Sequence, residues 1–116
     1  MFEDLISAAA IKHNIPRETL TALVKRESNF DPNAIGDKGL AIGLCQMHPV
    51  ACAEVGANWN DMYDPAKALD AGAAYLKKML DRAEGDMLWA LAAYNQGPTV
   101  IFRARRYAQA VIRLVE

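Results

Sequence analysis

Apolar positions recur at helical spacing along nearly the whole chain, and turn residues cut the pattern into segments. Phe2, Leu5, Ile6, Ala9 and Ala10 share one face of a first helix over 2–13, with Asn14 as its stop. Pro16 suits the first turn of a second helix that runs to about Asn29 and carries Leu20, Leu23 and Val24 as its stripe. Pro32, Gly36 and Gly39 make 31–42 a loop, the one place where a small β-ribbon is expected. A short helical stretch should begin near Gly43, break or restart at Pro49 and end near Gly56. Asp64 followed by Pro65 opens a long helix through Ala68, Leu69, Ala73, Leu76 and Leu80 to Gly85. Asp86 caps the next, apolar segment, which stops at Asn95, Gly97 and Pro98, and 99–115 reads as one or two closing helices. The pattern predicts an all-α fold, α+β at most.

Composition agrees. Of 116 residues, 53% are apolar and 23% charged, the balance of a globular protein, and the length predicts a single domain over 1–116. Alanine supplies 21 residues while Val, Ile and Thr together supply 16, which favours helices over sheets. Thirteen basic against fourteen acidic groups leave a net charge of −1, which argues against nucleic acid as a partner. The one basic cluster, Arg103, Arg105 and Arg106, reads as a solvated face near a helix end or as a contact for an anionic surface. No apolar run approaches the ~18 residues a membrane span needs, and Glu3 and Asp4 stand where a secretory signal would place Lys or Arg. Cys45 and Cys52, placed on one helix, would be about 10 Å apart, beyond disulfide reach, and are expected as two buried thiols. With His13 and His48 they have the wrong spacing for a zinc site, and neither a metal nor a cofactor is expected.

Three segments carry candidate chemistry. Glu27 lies at i+7, i+4 and i+3 from Leu20, Leu23 and Val24, so the stripe that faces the core ends in a carboxylate. Desolvation and the negative end of the helix dipole would both keep its proton on near neutral pH, the state a general acid needs. A purely structural alternative is that Glu27 sits at the domain edge and pairs with Lys12, Arg26 or Lys38. The string GDKGLAIGLCQMHP over 36–49 has three glycines in eight residues, which allow close approach of the backbone to a ligand, and Gln46 follows with an amide donor and acceptor. Such a surface suits a ligand rich in amides and hydroxyls. In AAYNQGP over 92–98, Tyr94 and Asn95 end an apolar helix, as a rigidly held ring and amide or as an aromatic core residue before an Asn/Gly stop.

Taken in order, Glu27-Ser28, then GLCQMHP, then AYNQGP resemble the soluble lytic transglycosylase family, whose lysozyme-like domain carries ES, GLMQ followed shortly by Pro, and AYNxGP. The resemblance spans about residues 5–115 and implies a compact lysozyme-like domain acting on the glycan strands of peptidoglycan. It makes Glu27 the catalytic acid/base, has Ser28 and Gln46 support it or the substrate, and places Tyr94 and Asn95 on the sugar groove. Arg106-Tyr107 with Val111 resembles the family's late tyrosine segment, which implies that Tyr107 reaches back toward Glu27. Cys45 replaces the methionine of GLMQ, and His48 stands where the family often has Met, at a sugar contact. The loop before Gln46 is closer to goose-type lysozymes, in which the residue matching Asp37 places a hydrolytic water, while their other carboxylate falls on His48 and is missing.

Lytic cleavage to a 1,6-anhydro product is therefore expected, with hydrolytic muramidase as the alternative and a non-catalytic wall-binding module as the distant one. Most glycosidases use two carboxylates, but a neighbouring N-acetyl group substitutes for the nucleophile in substrate-assisted enzymes. A monomer acting in the wall or periplasm is expected. The absence of an export signal fits a phage lysis or virion protein, a secretion-machine component, or a chain trimmed of its leader.

Overall fold

The computed structural model describes residues 1–115, and they form mostly helix. In chain order the elements are α1 (Glu3–His13), α2 (Arg17–Ser28), β1 (Ile35–Gly36), β2 (Ala41–Ile42), α3 (Pro49–Glu54), α4 (Pro65–Arg82), α5 (Met87–Gln96) and α6 (Thr99–Val115). Short 3₁₀ turns lie at Asp37–Gly39 and Trp59–Tyr63, the second absent from the sequence expectation. Two compact units divide within α4, at Met1–Tyr75 and Leu76–Glu116.

In the first unit α1 packs on α2. Asn14 and Asn29 end these helices in the left-handed conformation, as short polar side chains tolerate. The buried stripe of α1 is Ile6, Ala9 and Ala10; Leu5, expected beside them, is exposed because it falls at the edge of that stripe. Leu20 and Val24 of α2 are fully buried, each worth about 1.5–3 kcal/mol of transfer free energy. The ribbon is antiparallel, with Ile35 opposite Ile42 and Gly36 opposite Ala41. No helix begins at Gly43. Residues 43–46 make a turn closed by an Ile42–Met47 bridge, because Gly43 has φ +82° and lies against the Met62 carbonyl, where an added Cβ would come within 1.9 Å of the oxygen. Cys45 and Cys52 consequently sit on different elements, a turn and α3, both as buried thiols. Asp64 caps α4 by accepting a hydrogen bond from the Lys67 amide at 3.1 Å.

In the second unit α5 packs on α6, a single closing helix, and Leu76, Met79, Ala83, Ala90, Ala93 and Ile101 are buried. Asp86 caps α5 through the Trp89 amide. Among the described residues no helix is long and apolar enough to cross a membrane.

Candidate active site

Glu27 occupies the last turn of α2 and is half-buried. The structural alternative does not hold: Lys12 bonds Asp70 at 2.9 Å, and no side chain among the described residues makes an ion pair or hydrogen bond with the Glu27 carboxyl. Burial pushes its pKa above the ordinary glutamate value, against smaller opposing effects from the charges of Arg26 and His48. The Ser28 hydroxyl donates to the Val24 carbonyl at 3.0 Å, so its proton is committed to the helix and its lone pairs face outward as acceptors.

The ribbon supplies the second part of the site. Its tip runs through Asp37, Lys38 and Gly39, all with positive φ. For the two residues that bear side chains this conformation costs about 1–2 kcal/mol each. The reversal brings Asp37 Oδ2 to 2.6 Å from His48 Nε2, joining residues 11 positions apart. Asp37 is exposed and His48 half-buried, so the pair lies at the surface, with His48 within electrostatic range of Glu27. The Gln46 amide is held inward: Nε2 donates to the carbonyls of Ala34 and Gly43, both at 3.1 Å. Its Oε1 rests on Gly36, where an added Cβ would come within 2.5 Å and push the Gln46 amide aside, the Gly36 backbone itself being extended. Gln46 is thus a strut of the ribbon that leaves an acceptor, and not its donors, for a ligand.

Trp59 was not singled out by sequence reasoning. Its indole N–H donates to the carbonyls of Met47 (2.9 Å) and Leu40 (3.2 Å), clamping the chain on both sides of Gln46. The only local signal was a tryptophan among the asparagines of NWN. Tyr94 and Asn95 lie in the last turn of α5, half-buried and exposed respectively, where Gly97 at φ +94° ends the helix. Tyr107 is exposed on α6 and helps line a cavity of about 810 Å³ with Trp89, Val100 and Arg103. Glu27, Ser28, Asp37, Gln46 and His48 therefore belong to the first unit, and Tyr94, Asn95 and Tyr107 to the second. Among the described residues no three His, Cys, Asp or Glu side chains are grouped to hold a metal ion.

Residues 4–113 match the transglycosylase SLT domain family. The chain belongs to that family. The SLT domain is 35% identical over 102 residues to a membrane-bound lytic murein transglycosylase F of Desulfosudis oleivorans, covering 83% of this chain and 22% of that protein. It is 34% identical over 94 residues to a transglycosylase of Enterobacteria phage PRD1, covering 81% of this chain and 34% of the phage protein. Its structure resembles that of an inactive mutant of lytic transglycosylase Slt from Pseudomonas aeruginosa, with a TM-score of 0.75 and 26% identity over 84% of this chain and 17% of the other. The chain thus spans between about a sixth and a third of these proteins. Lysozyme-like SLT architecture accounts for the helical fold and the small ribbon together.

Proposed function

We propose that the chain is a lytic transglycosylase that cleaves peptidoglycan between N-acetylmuramic acid and N-acetylglucosamine. The observation that carries this reading is Glu27, a half-buried carboxyl with no bonded partner among the described residues and a raised pKa, at the position of the family's acid/base. Protonated Glu27 donates its proton to the glycosidic oxygen as the bond to the muramic C1 breaks, and the neighbouring N-acetyl carbonyl stabilises the developing charge. The Glu27 carboxylate then takes the proton of the muramic C6 hydroxyl, whose oxygen closes on C1 to give a 1,6-anhydro ring. Glu27 ends protonated, and water is not consumed.

Ser28, the Gln46 acceptor and His48 are assigned to sugar contacts, as are Tyr94, Asn95 and Tyr107, with the 1–116 chain acting as one monomeric catalytic domain on the cell wall. Asp37 is the residue a hydrolase would use to place water, and its engagement by His48 at 2.6 Å argues against that use. The homologous phage transglycosylase supports delivery by a phage as one setting for this activity. Mass spectrometry of muropeptides released from purified peptidoglycan tests the reading: anhydro ends, lighter by one water (about 18 Da), are expected, whereas reducing ends would establish hydrolysis.

A further inference from the structure

The segment 36–47 is held in a conformation that its own bonds do little to maintain. Asp37, Lys38, Gly39, Gly43 and Gln46 all have positive φ, and three of these carry side chains for which that conformation is disfavoured. Against this the ribbon offers two residue pairs and the Ile42–Met47 bridge, and a two-stranded ribbon of that size is marginal by itself. Further support comes from outside, from the 3₁₀ turn Trp59–Tyr63. The Met62 carbonyl of this turn seats Gly43, and the Trp59 indole N–H is shared between the carbonyls of Met47 at 2.9 Å and Leu40 at 3.2 Å.

Those two carbonyls are not arbitrary points of the chain. Leu40 closes the ribbon tip, its amide donating to the Asp37 carbonyl at 3.1 Å, and Met47 directly precedes His48. One proton therefore ties together the two stretches of chain that deliver Asp37 and His48 to each other at 2.6 Å. Both acceptors of that proton lie in the 40–47 segment, whereas Glu27 is carried by α2, so the clamp reaches the wall of the site and not the proton donor. We propose that Trp59 is a positioning residue whose indole N–H sets the Asp37–His48 pair for contact with the glycan. It governs substrate affinity and leaves the rate of the bound complex unchanged. The proposal deepens the reading of the chain as a glycan-cleaving enzyme and rests on it through the assignment of His48 to a sugar contact.

The test compares two replacements that both lose the fused ring. Trp59→Phe removes the donor, whereas Trp59→His puts Nε2 where the indole nitrogen stood, and an imidazole can donate from there. With soluble glycan strands as substrate, Trp59→Phe should raise KM about fivefold with kcat within about twofold of the wild type, and Trp59→His should recover most of the loss. The KM effect should shrink below about twofold when Trp59→Phe is made in an Asp37→Asn protein, because no pair remains for the clamp to set. An unchanged KM in Trp59→Phe, a fall in kcat alone, no recovery in Trp59→His, or an undiminished effect in the Asp37→Asn protein would each overturn the proposal.

Should the Trp59 variants fail to fold by circular dichroism, the clamp is read from the native ring. Trp59 and Trp89 are the only tryptophans, so Trp89→Phe leaves a single indole N–H resonance. In that protein, with Glu27→Gln added to prevent turnover, an N-acetylglucosamine hexamer should shift the resonance, and the shift should disappear when Asp37→Asn is added as well. A resonance that ignores the sugar, or that moves equally with and without Asp37, overturns the proposal. Glycan cleavage by the wild type without this dependence on Trp59 defeats the proposal and spares the enzymatic reading. Hexamer binding that depends on Trp59 in a wild type that cleaves no glycan does the reverse.

Discussion

Glu27 and Asp70 are both half-buried carboxylates of the first unit, and the fold treats them in opposite ways. Burial works upward on both pKa values. At Asp70 it is outweighed by the His13 ring nitrogen at 2.8 Å and the Lys12 ammonium at 2.9 Å, which tie α1 to α4 and hold the carboxyl below the usual aspartate value. At Glu27 the charges of Arg26 and His48 act without a bond, burial prevails, and the carboxyl is held above its usual value. A partnered carboxylate closes a contact between helices, whereas an unpartnered one holds its proton more readily and leaves its oxygens unbonded.

The sharpest way to break this contrast is Glu27→Gln. The amide keeps the shape and removes the transferable proton, so lytic activity on purified peptidoglycan should fall by about 10²-fold or more with the fold intact. Retention of a tenth of the activity would remove Glu27 from the reaction. The wild-type rate should also decline as pH rises through the raised Glu27 value, because the acid step needs the protonated form.

Asp70→Asn should do the reverse, leaving activity within about twofold while lowering stability. Each exposed pair contributes up to about 1 kcal/mol and the Asp70 side chain is nearly half exposed, so a loss of about 1 kcal/mol near neutral pH is expected, or roughly 4 °C in melting temperature. A carboxyl with a lowered folded pKa stabilises above its unfolded value and loses that contribution as pH falls through the folded one. Melting temperatures of the variant and the wild type should therefore converge in acid; a constant gap would show that charge is not the cause.

Asp37→Asn probes the ribbon tip, where the carboxylate and His48 meet. A decrease of only a few-fold in turnover with anhydro products retained is expected, since the substitution loosens a sugar contact and leaves the proton donor untouched. A 10²-fold loss with reducing-end products would promote Asp37 to the water-placing role. The smallest effect concerns Glu27 again. A carboxyl whose folded pKa is raised contributes fully below its unfolded value and loses that contribution as pH rises through the folded one. Glu27→Gln should match the wild type in acid and melt slightly higher above neutral pH, by a margin that half-exposure keeps small. Equal melting at every pH would show that the buried carboxylate costs the fold nothing.

The ordered motifs made Glu27 legible, and spacing alone placed it on the apolar stripe of α2. Its freedom from Lys12 was not legible, since that depends on Asp70, which claims the lysine from a distant helix. Gln46 shows the same limit. Its place beside glycines suggested an amide aimed at a ligand, yet both hydrogens are taken by Ala34 and Gly43, carbonyls that only the folded ribbon brings within reach.

What the sequence determined by itself is what local chemistry decides: helix starts at Asp64-Pro65 and Asp86, stops at Asn14 and Asn29, the stripe that carries Glu27, and the ordered motifs of an SLT domain. Capping bonds and left-handed stops involve residues within four positions, so the residue types announce them. Tertiary structure decided the turn at Gly43, which yields to the Met62 carbonyl, and the clamp of Trp59 on Leu40 and Met47. It also decided the seating of Asp37 against His48. Each of these depends on which groups meet across 11 or more residues, and hydrophobic periodicity encodes only that a face is apolar, not what it finds.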